Sequence, residues 1–213
     1  MAYTDQALMS EIQAALLEPT IDGGVTWTST MWTQAEVLQY INQRQDRFLK
    51  ESQLLISWAQ IAVTAAQLRP ALPVDWVATV RASWLGSGST YVNLPRADSW
   101  SADNGLPLWA TATATRPTVY MDSETPTLAL QLAPAPTGPG TISLYYVSLG
   151  NTLDGSGEIF NTPDEFIPYL KYGVIADMLT KLGRLADVPR AAYCEMRFEE
   201  GVELARSWVS GAW

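Results

Sequence analysis

Carboxylates are the side chains with the best claim to chemistry in this sequence, because it holds no histidine and a single cysteine, Cys194. Without imidazole there is no Ser-His-Asp or Cys-His arrangement, and the usual nitrogen ligands for a transition metal are missing. A carboxylate-dependent hydrolase needs two acids facing each other about 5–10 Å apart across a cleft. Two acidic groups stand close in sequence: Asp164-Glu165, and Glu199, Glu200 and Glu203. The first pair follows Thr162-Pro163 and belongs to the first turn of a helix, where the backbone dipole favours negative charge. The second group lies on an amphipathic helix with no glycine-rich cradle beside it, and reads as a solvated or inter-subunit face. Cys194 reads as a small buried hydrophobe. "GSGS" at 86–89 lacks the lysine of a phosphate-binding loop, and "DGSGE" at 154–158 has too few oxygen ligands for an EF-hand. The expectation is therefore no enzyme, no cofactor and no metal.

The tryptophans are the other residues that stand out, nine in all. Trp58, Trp76, Trp84, Trp100 and Trp109 cluster in the middle of the chain. Exposed indoles could stack on sugars, while buried ones fill cores and interfaces. Two more close the chain in "SWVSGAW", residues 207–213, at a terminus where chains usually fray. Trp208 and Trp213 must either fold back on the core or meet another molecule. The net charge of −9 repels a phosphate backbone, which argues against nucleic-acid binding. Arg44, Arg47 and Lys50 stand near one another, but Asp46 and Glu51 are interleaved, so the stretch reads as a polar helix face.

Hydrophobic periodicity supplies the elements that must position these groups. "TDQALMSEIQAALL" (4–17) predicts a helix capped by Thr4, with Leu8, Ile12, Ala15 and Leu16 on one side and Glu18-Pro19 ending it. A second helix opens at Thr33 with a Thr33/Glu36 capping box and a Trp32/Val37 staple, and runs to about residue 56. Its apolar stripe is Val37, Ile41, Phe48 and Leu55. Its middle, "NQRQDR", is polar nearly all round, so it faces water or a polar partner surface. From Trp58 to Gly150 the pattern changes to short alternating runs broken by Pro and Gly. "WAQIAVTA", "DWVATVRASWL", "STYVNL", "LPLWATATATRP", "TVYMD", "TLALQLAP" and "GTISLYYVSL" are strand candidates, and "RADSWSAD" a short helical turn. Strands without intervening helices point to an antiparallel sheet or small sandwich. Helix returns at Thr162-Pro163-Asp164-Glu165, a second capping box, followed by the face Ile167, Leu170, Val174, Met178 and Leu182, ended by Gly183. Asp187 caps a last helix whose apolar line is Ala191, Cys194, Phe198, Val202, Ala205 and Val209.

The fold class expected is α+β: a four-helix bundle-like module built from N- and C-terminal helix pairs, residues 1–57 and 151–213, with an inserted antiparallel β domain at 58–150. No apolar run reaches the roughly 18 residues of a membrane helix, and "MAYTDQALMSEIQ" has neither the basic start nor the apolar stretch of a signal peptide. Synthesis in the cytoplasm is expected.

Three pieces then come in order: a "WT..E...YIN" opening helix at Trp32–Asn42, a Pro-rich strand exit "LAPAPTGPGTISLYYV", and "P.EF...L.YG..A.ML.K.GR..D..RA" from Pro163 to Ala192. Together they resemble the head–tail adaptor (connector or head-completion) proteins of tailed bacteriophages. The resemblance implies a virion component at the head–tail junction: a dodecameric ring beneath the portal protein that lines the DNA exit channel and meets the next tail or nozzle protein. It implies that a terminal segment docks on the portal, with Phe198, Val202, Trp208, Val209 and Trp213 the residues concerned. The polar run, with Asn42, Arg44, Asp46 and Arg47, is the expected subunit–subunit contact. DNA would pass without sequence-specific binding, eased by acidic walls. The alternative from another class is a carbohydrate-binding tail or fibre module using exposed tryptophans.

Overall fold

In the computed structural model, side-chain caps decide where four of the helices start. The structure describes residues 3–16, 31–86, 88, 90–106, 108–122, 128–181 and 187–211. In α1 (Asp5–Ala15) the Thr4 hydroxyl accepts from the Ala7 amide. In α2 (Gln34–Ser52) the Thr33/Glu36 capping box is complete: the Thr33 amide donates to Glu36 Oε2 (2.8 Å) and the Glu36 amide to Thr33 Oγ1 (3.2 Å). α2 stops at Gln53, whose positive φ of 55° turns the chain out of the helix. The expected ends at Glu18-Pro19 and Gly183 lie outside the described residues.

The chain divides into two compact units, one made of residues 1–55 and 149–213, the other of 56–148. In the first, α4 (Ile167–Thr180) is the central element. Ile167, Leu170, Gly173, Val174, Ile175, Ala176, Met178 and Leu179 are all buried, so it is apolar on most sides, as a core helix must be. α1, α2 and α5 (Val188–Ser210) each pack against it. The shared core takes Leu8 and Ile12 from α1, Val37, Ile41 and Phe48 from α2, and Cys194, Phe198 and Val202 from α5. Trp32 and Val37, the expected staple, are both buried in that core.

The second expected capping box is not formed. A single 3₁₀ turn, Asp164–Phe166, leads into α4, and Pro163 offers no side-chain cap. Thr162 is buried with its hydroxyl unpartnered, and Asp164 accepts instead from the Tyr3 amide at 3.0 Å. Proline at 163 fixes φ but cannot place the Thr162 hydroxyl over the turn, so long-range contacts took over. Asp187 does cap α5, accepting from the Arg190 amide.

The second unit is built on a four-stranded antiparallel sheet. Strands β1 (Ile56–Val63), β2 (Trp76–Leu85), β3 (Val92–Leu94) and β8 (Gly140–Ser148) lie in the order β1-β8-β2-β3. The last strand in sequence is thus central, with Trp58 opposite Tyr145 and Arg81 opposite Tyr145 from the other side. The short helix α3 (Ser99–Gly105) is capped by Asp98. Of "LPLWATATATRP", only β4 (Thr113–Ala114) is strand, and it pairs in parallel with β7 (Ala135–Pro136). Its Thr-Ala alternation carries no large apolar side chain to bury, so the rest of the run turns. β5 (Val119–Met121) and β6 (Gln131–Ala133) form a separate antiparallel pair. Residues 129–136 are buried throughout, so the alternation of "TLALQL" does not sort inside from outside. Among the described residues the class is mixed α+β, with five helices and an antiparallel sheet.

Candidate functional site

The polar middle of α2 is spent inside its own unit. Asn42 joins the following loop in both directions: its Nδ2 donates to the Leu153 carbonyl (2.9 Å) and its Oδ1 accepts from the Leu153 amide (2.8 Å). Arg44 grips Asp177 of α4 with two bonds of 2.6 and 2.5 Å, and its third nitrogen forms an ion pair at 2.7 Å with Glu195 of α5. Arg47 binds Glu51 (2.7 Å), Glu195 (2.6 Å) and Glu199. Both guanidinium groups stand over the Phe198 ring, about 5 Å from its centre. Burial works against both cations, but their carboxylate partners outweigh it and hold both pKa values above the ordinary arginine range. Asp46 lies outside this network, and partial burial raises its pKa.

Arg44 and Arg47 meet a polar partner surface, but it is α4 and α5 of the same chain. Those partners sit 133 to 152 residues away in sequence, beyond any local pattern.

α4 and α5 approach closely through two reciprocal glycines. A Cβ on Gly173 would lie 2.6 Å from the Phe198 ring, and a Cβ on Gly201 would lie 2.4 Å from Cβ and Cγ of Tyr169. Each helix therefore seats an aromatic residue against the other's bare backbone. From there an aromatic chain runs along the unit. Phe198 meets Phe48 at 6.1 Å, Phe48 meets Phe166 at 5.6 Å, and Phe166 meets Trp208 at 5.4 Å between ring centres.

That chain places the docking residues proposed from sequence. Phe198 and Val202 are fully buried and hold α5 to α2 and α4. Their i, i+4 spacing marks the inward face of α5. Trp208 folds back on Phe166 yet stays 43% exposed. Val209 continues the buried line of Ala191, Cys194, Phe198, Val202 and Ala205 but is 45% exposed, beside Glu51, Ser52 and Gln53 at the end of α2. Trp213 lies outside the described residues.

Sequence reasoning missed the outward face of α5. Tyr193, Met196, Leu204 and Trp208 fall on one side of the helix and are each about half exposed. Met196 and Leu204, with Glu199, Glu200, Glu203 and Ser207, line an open groove of about 550 Å³. The signal was present as the spacing i, i+3, i+11, i+15, but the intervening glutamates masked it as a solvated face. Arg197 and Arg206 pair with Glu200 and Glu203, each at 2.5 Å.

The loop "DGSGE" turns out to be organised by α1. Asp5, fully buried, accepts from the amides of Gly155 (2.8 Å), Gly157 (3.0 Å) and Gln6 (2.6 Å). Asp154, Glu158 and Asp5 bring carboxylate oxygens within 4.8 Å of one another, and Glu158 Oε2 there lacks a hydrogen-bond partner. The loop amides already satisfy the buried Asp5. Cys194 is buried, and burial pushes its thiol pKa up, away from reactivity.

The half-exposed apolar side of α5, above the arginine–carboxylate seam, is the surface feature these contacts leave on the helical unit. Among known families, the profile described as SU10 adaptor protein matches residues 6–212. The chain belongs to the SU10 adaptor protein family. It is a structural bacteriophage protein of the head–tail adaptor kind that its sequence resembles. No curated protein matches it. Among the described residues no helix is long and apolar enough to cross a membrane.

Proposed function

We propose that this adaptor forms a ring beneath the portal protein, extends the DNA channel and carries the next tail or nozzle protein. In this reading it is made in the host cytoplasm and joins the virion after the head is packaged. The helices α1, α2, α4 and α5 act as one four-helix bundle that makes the ring and portal contacts, and the β unit offers a surface outward or toward the tail. The role is geometric and includes no chemical step.

The observation that carries the reading is the outward face of α5. Half-exposed Tyr193, Met196, Leu204 and Trp208 on one helix, rimmed by glutamates, are what a docking element presents to a partner. Trp208 is already anchored on Phe166, so its ordering cost on binding is small. In a ring each subunit repeats the contact, and modest single affinities add. The acidic balance suits a channel wall that lets DNA slide, and Arg44 and Arg47 are neutralised by their own carboxylates.

The test is co-sedimentation of the purified chain with the portal ring of its own phage. We expect Met196→Glu with Leu204→Glu to abolish co-sedimentation while circular dichroism and thermal unfolding stay as in the parent. Removal of residues 207–213 should weaken it. Unchanged binding by the double variant would move the portal contact off α5. Absence of binding by the parent protein would remove the portal reading.

A further inference from the structure

The solvent face of the four-stranded sheet carries a second concave surface. Residues 56, 58, 60 and 62 of β1 alternate outward, and cross-strand pairing sets Trp58 beside Tyr145 and Tyr145 beside Arg81. In the neighbouring rows Ser143 pairs with Ser83, and Ser83 with Asn93. Two small buried serines thus form a floor between large side chains. With Tyr91 the group encloses about 330 Å³, at the lower end of the usual range for small-ligand sites.

Each wall is held in place. The Trp58 indole N–H donates to Ser143 Oγ at 2.7 Å, which fixes the ring although the residue is 53% exposed. The Arg81 guanidinium lies 4.6 Å from the centre of the Tyr145 ring. Among the described residues no carboxylate forms an ion pair with Arg81.

The remaining hydrogen-bonding capacity is mostly donor capacity. Ser83 donates to Asn93 Oδ1 at 2.7 Å, which leaves the Asn93 amide N–H groups to point elsewhere. Ser143 accepts from Trp58, so its own hydroxyl proton is available. Tyr91 accepts from Gln60 Nε2 at 3.3 Å and likewise retains its proton. A cation, an amide and two hydroxyls thus surround an indole face that is already immobilised. The matching ligand is rich in acceptors, carries a negative charge, and has a flat apolar C–H face. We propose that this sheet face binds an anionic saccharide, with a pyranose ring against Trp58 and its carboxylate on Arg81. An acidic protein side chain would satisfy Arg81 and could accept from a neighbouring donor, but it would leave the indole face unused. The proposal does not depend on the portal reading, because every residue in it belongs to residues 56–148.

The experiment is a titration of the full-length ¹⁵N-labelled protein with oligoglucuronate, oligogalacturonate and a sialylated oligosaccharide, and with uncharged galacto-oligosaccharide. The readout is the Trp58 indole N–H resonance, assigned by its loss in Trp58→Phe. We expect saturable millimolar shifts with at least one acidic oligosaccharide and weaker ones with the neutral control. Arg81→Gln should weaken binding about tenfold, the usual scale for loss of one charge-assisted contact. Tyr91→Phe, which keeps the ring, should weaken it less, and Trp58→Ala should abolish it. No shift with any acidic oligosaccharide overturns the proposal, as does equal binding by Arg81→Gln and the parent. A shift produced by an acidic peptide and by none of the sugars also overturns it, and reassigns the face to a protein partner.

Discussion

Gly201→Ala adds a single carbon at the closest approach of α5 to α4. The new Cβ would sit 2.4 Å from both Cβ and Cγ of Tyr169, a separation that forces movement. Because Tyr169 Cβ is fixed to the α4 backbone, no rotamer change can clear it, and the helices must part. Overpacking of this kind costs about 1–3 kcal/mol, and contact with an anchored atom argues for the upper end. Alanine returns about 1 kcal/mol of helix propensity. The net loss is therefore about 2 kcal/mol. At about 2–4 °C per kcal/mol for a chain of this size, the melting temperature should fall by about 4–8 °C. The assay is thermal and urea unfolding followed by the helical circular dichroism signal, with Gly105→Ala as the control. Gly105 ends a helix with open space around its would-be Cβ, and its substitution should be neutral or slightly stabilising. A Gly201→Ala protein as stable as the parent would refute the close-packed interface, since propensity alone predicts a gain.

Two other perturbations probe different parts of the chain. Asp177→Asn leaves Arg44, whose side chain is only 10% exposed, with Glu195 as its remaining carboxylate, and should destabilise by about 2–4 kcal/mol in urea unfolding. The double variant Arg44→Met, Asp177→Leu should recover most of that loss, because the buried charge leaves with its partner. Tyr146 gives a pH signature. Burial and the nearby Asp75, to which its hydroxyl donates at 3.1 Å, push its pKa up to about 12. The unfolded chain loses that proton near pH 10, so stability should fall as pH rises from about 10 to 12. Ultraviolet titration should show Tyr146 ionising late, alongside Tyr120, which burial and Asp122 also push up, and Asp75→Asn should bring Tyr146 earlier.

What could be read from the sequence follows the range of the interactions. The Thr33/Glu36 capping box, the Asp187 cap and the apolar line of α5 are set within a few residues, and each appears where the spacing puts it. The change from helical to strand pattern near Trp58 is equally local, and β1 begins at Ile56. The Thr162–Glu165 box did not form, and the 3₁₀ turn there is tied instead by a long-range bond, the Tyr3 amide donating to Asp164. The burial of residues 129–136 depends on what covers them, which alternation alone does not encode. The candidate docking face was half legible. Phe198 and Val202 share a helix with Met196 and Leu204, and only the packing of α5 on α4 separates core from surface.

The polar run "NQRQDR" has a physical lesson for the adaptor. A helix polar nearly all round looked like a contact between subunits, yet its charges cross-link three helices of one unit through Asp177, Glu195, Glu199 and Glu51. Arginine suits that place because one planar fork can bind two carboxylates and still lie over an aromatic ring, here Phe198. The cost of burying cations is offset by several carboxylates at once, so the seam holds geometry more than it adds stability. A structural adaptor gains from that rigidity, which fixes the relation of α5 to α2 and α4. On the outer face of α5, Glu200 and Glu203 rim the apolar stripe and are paired along the same helix with Arg197 and Arg206.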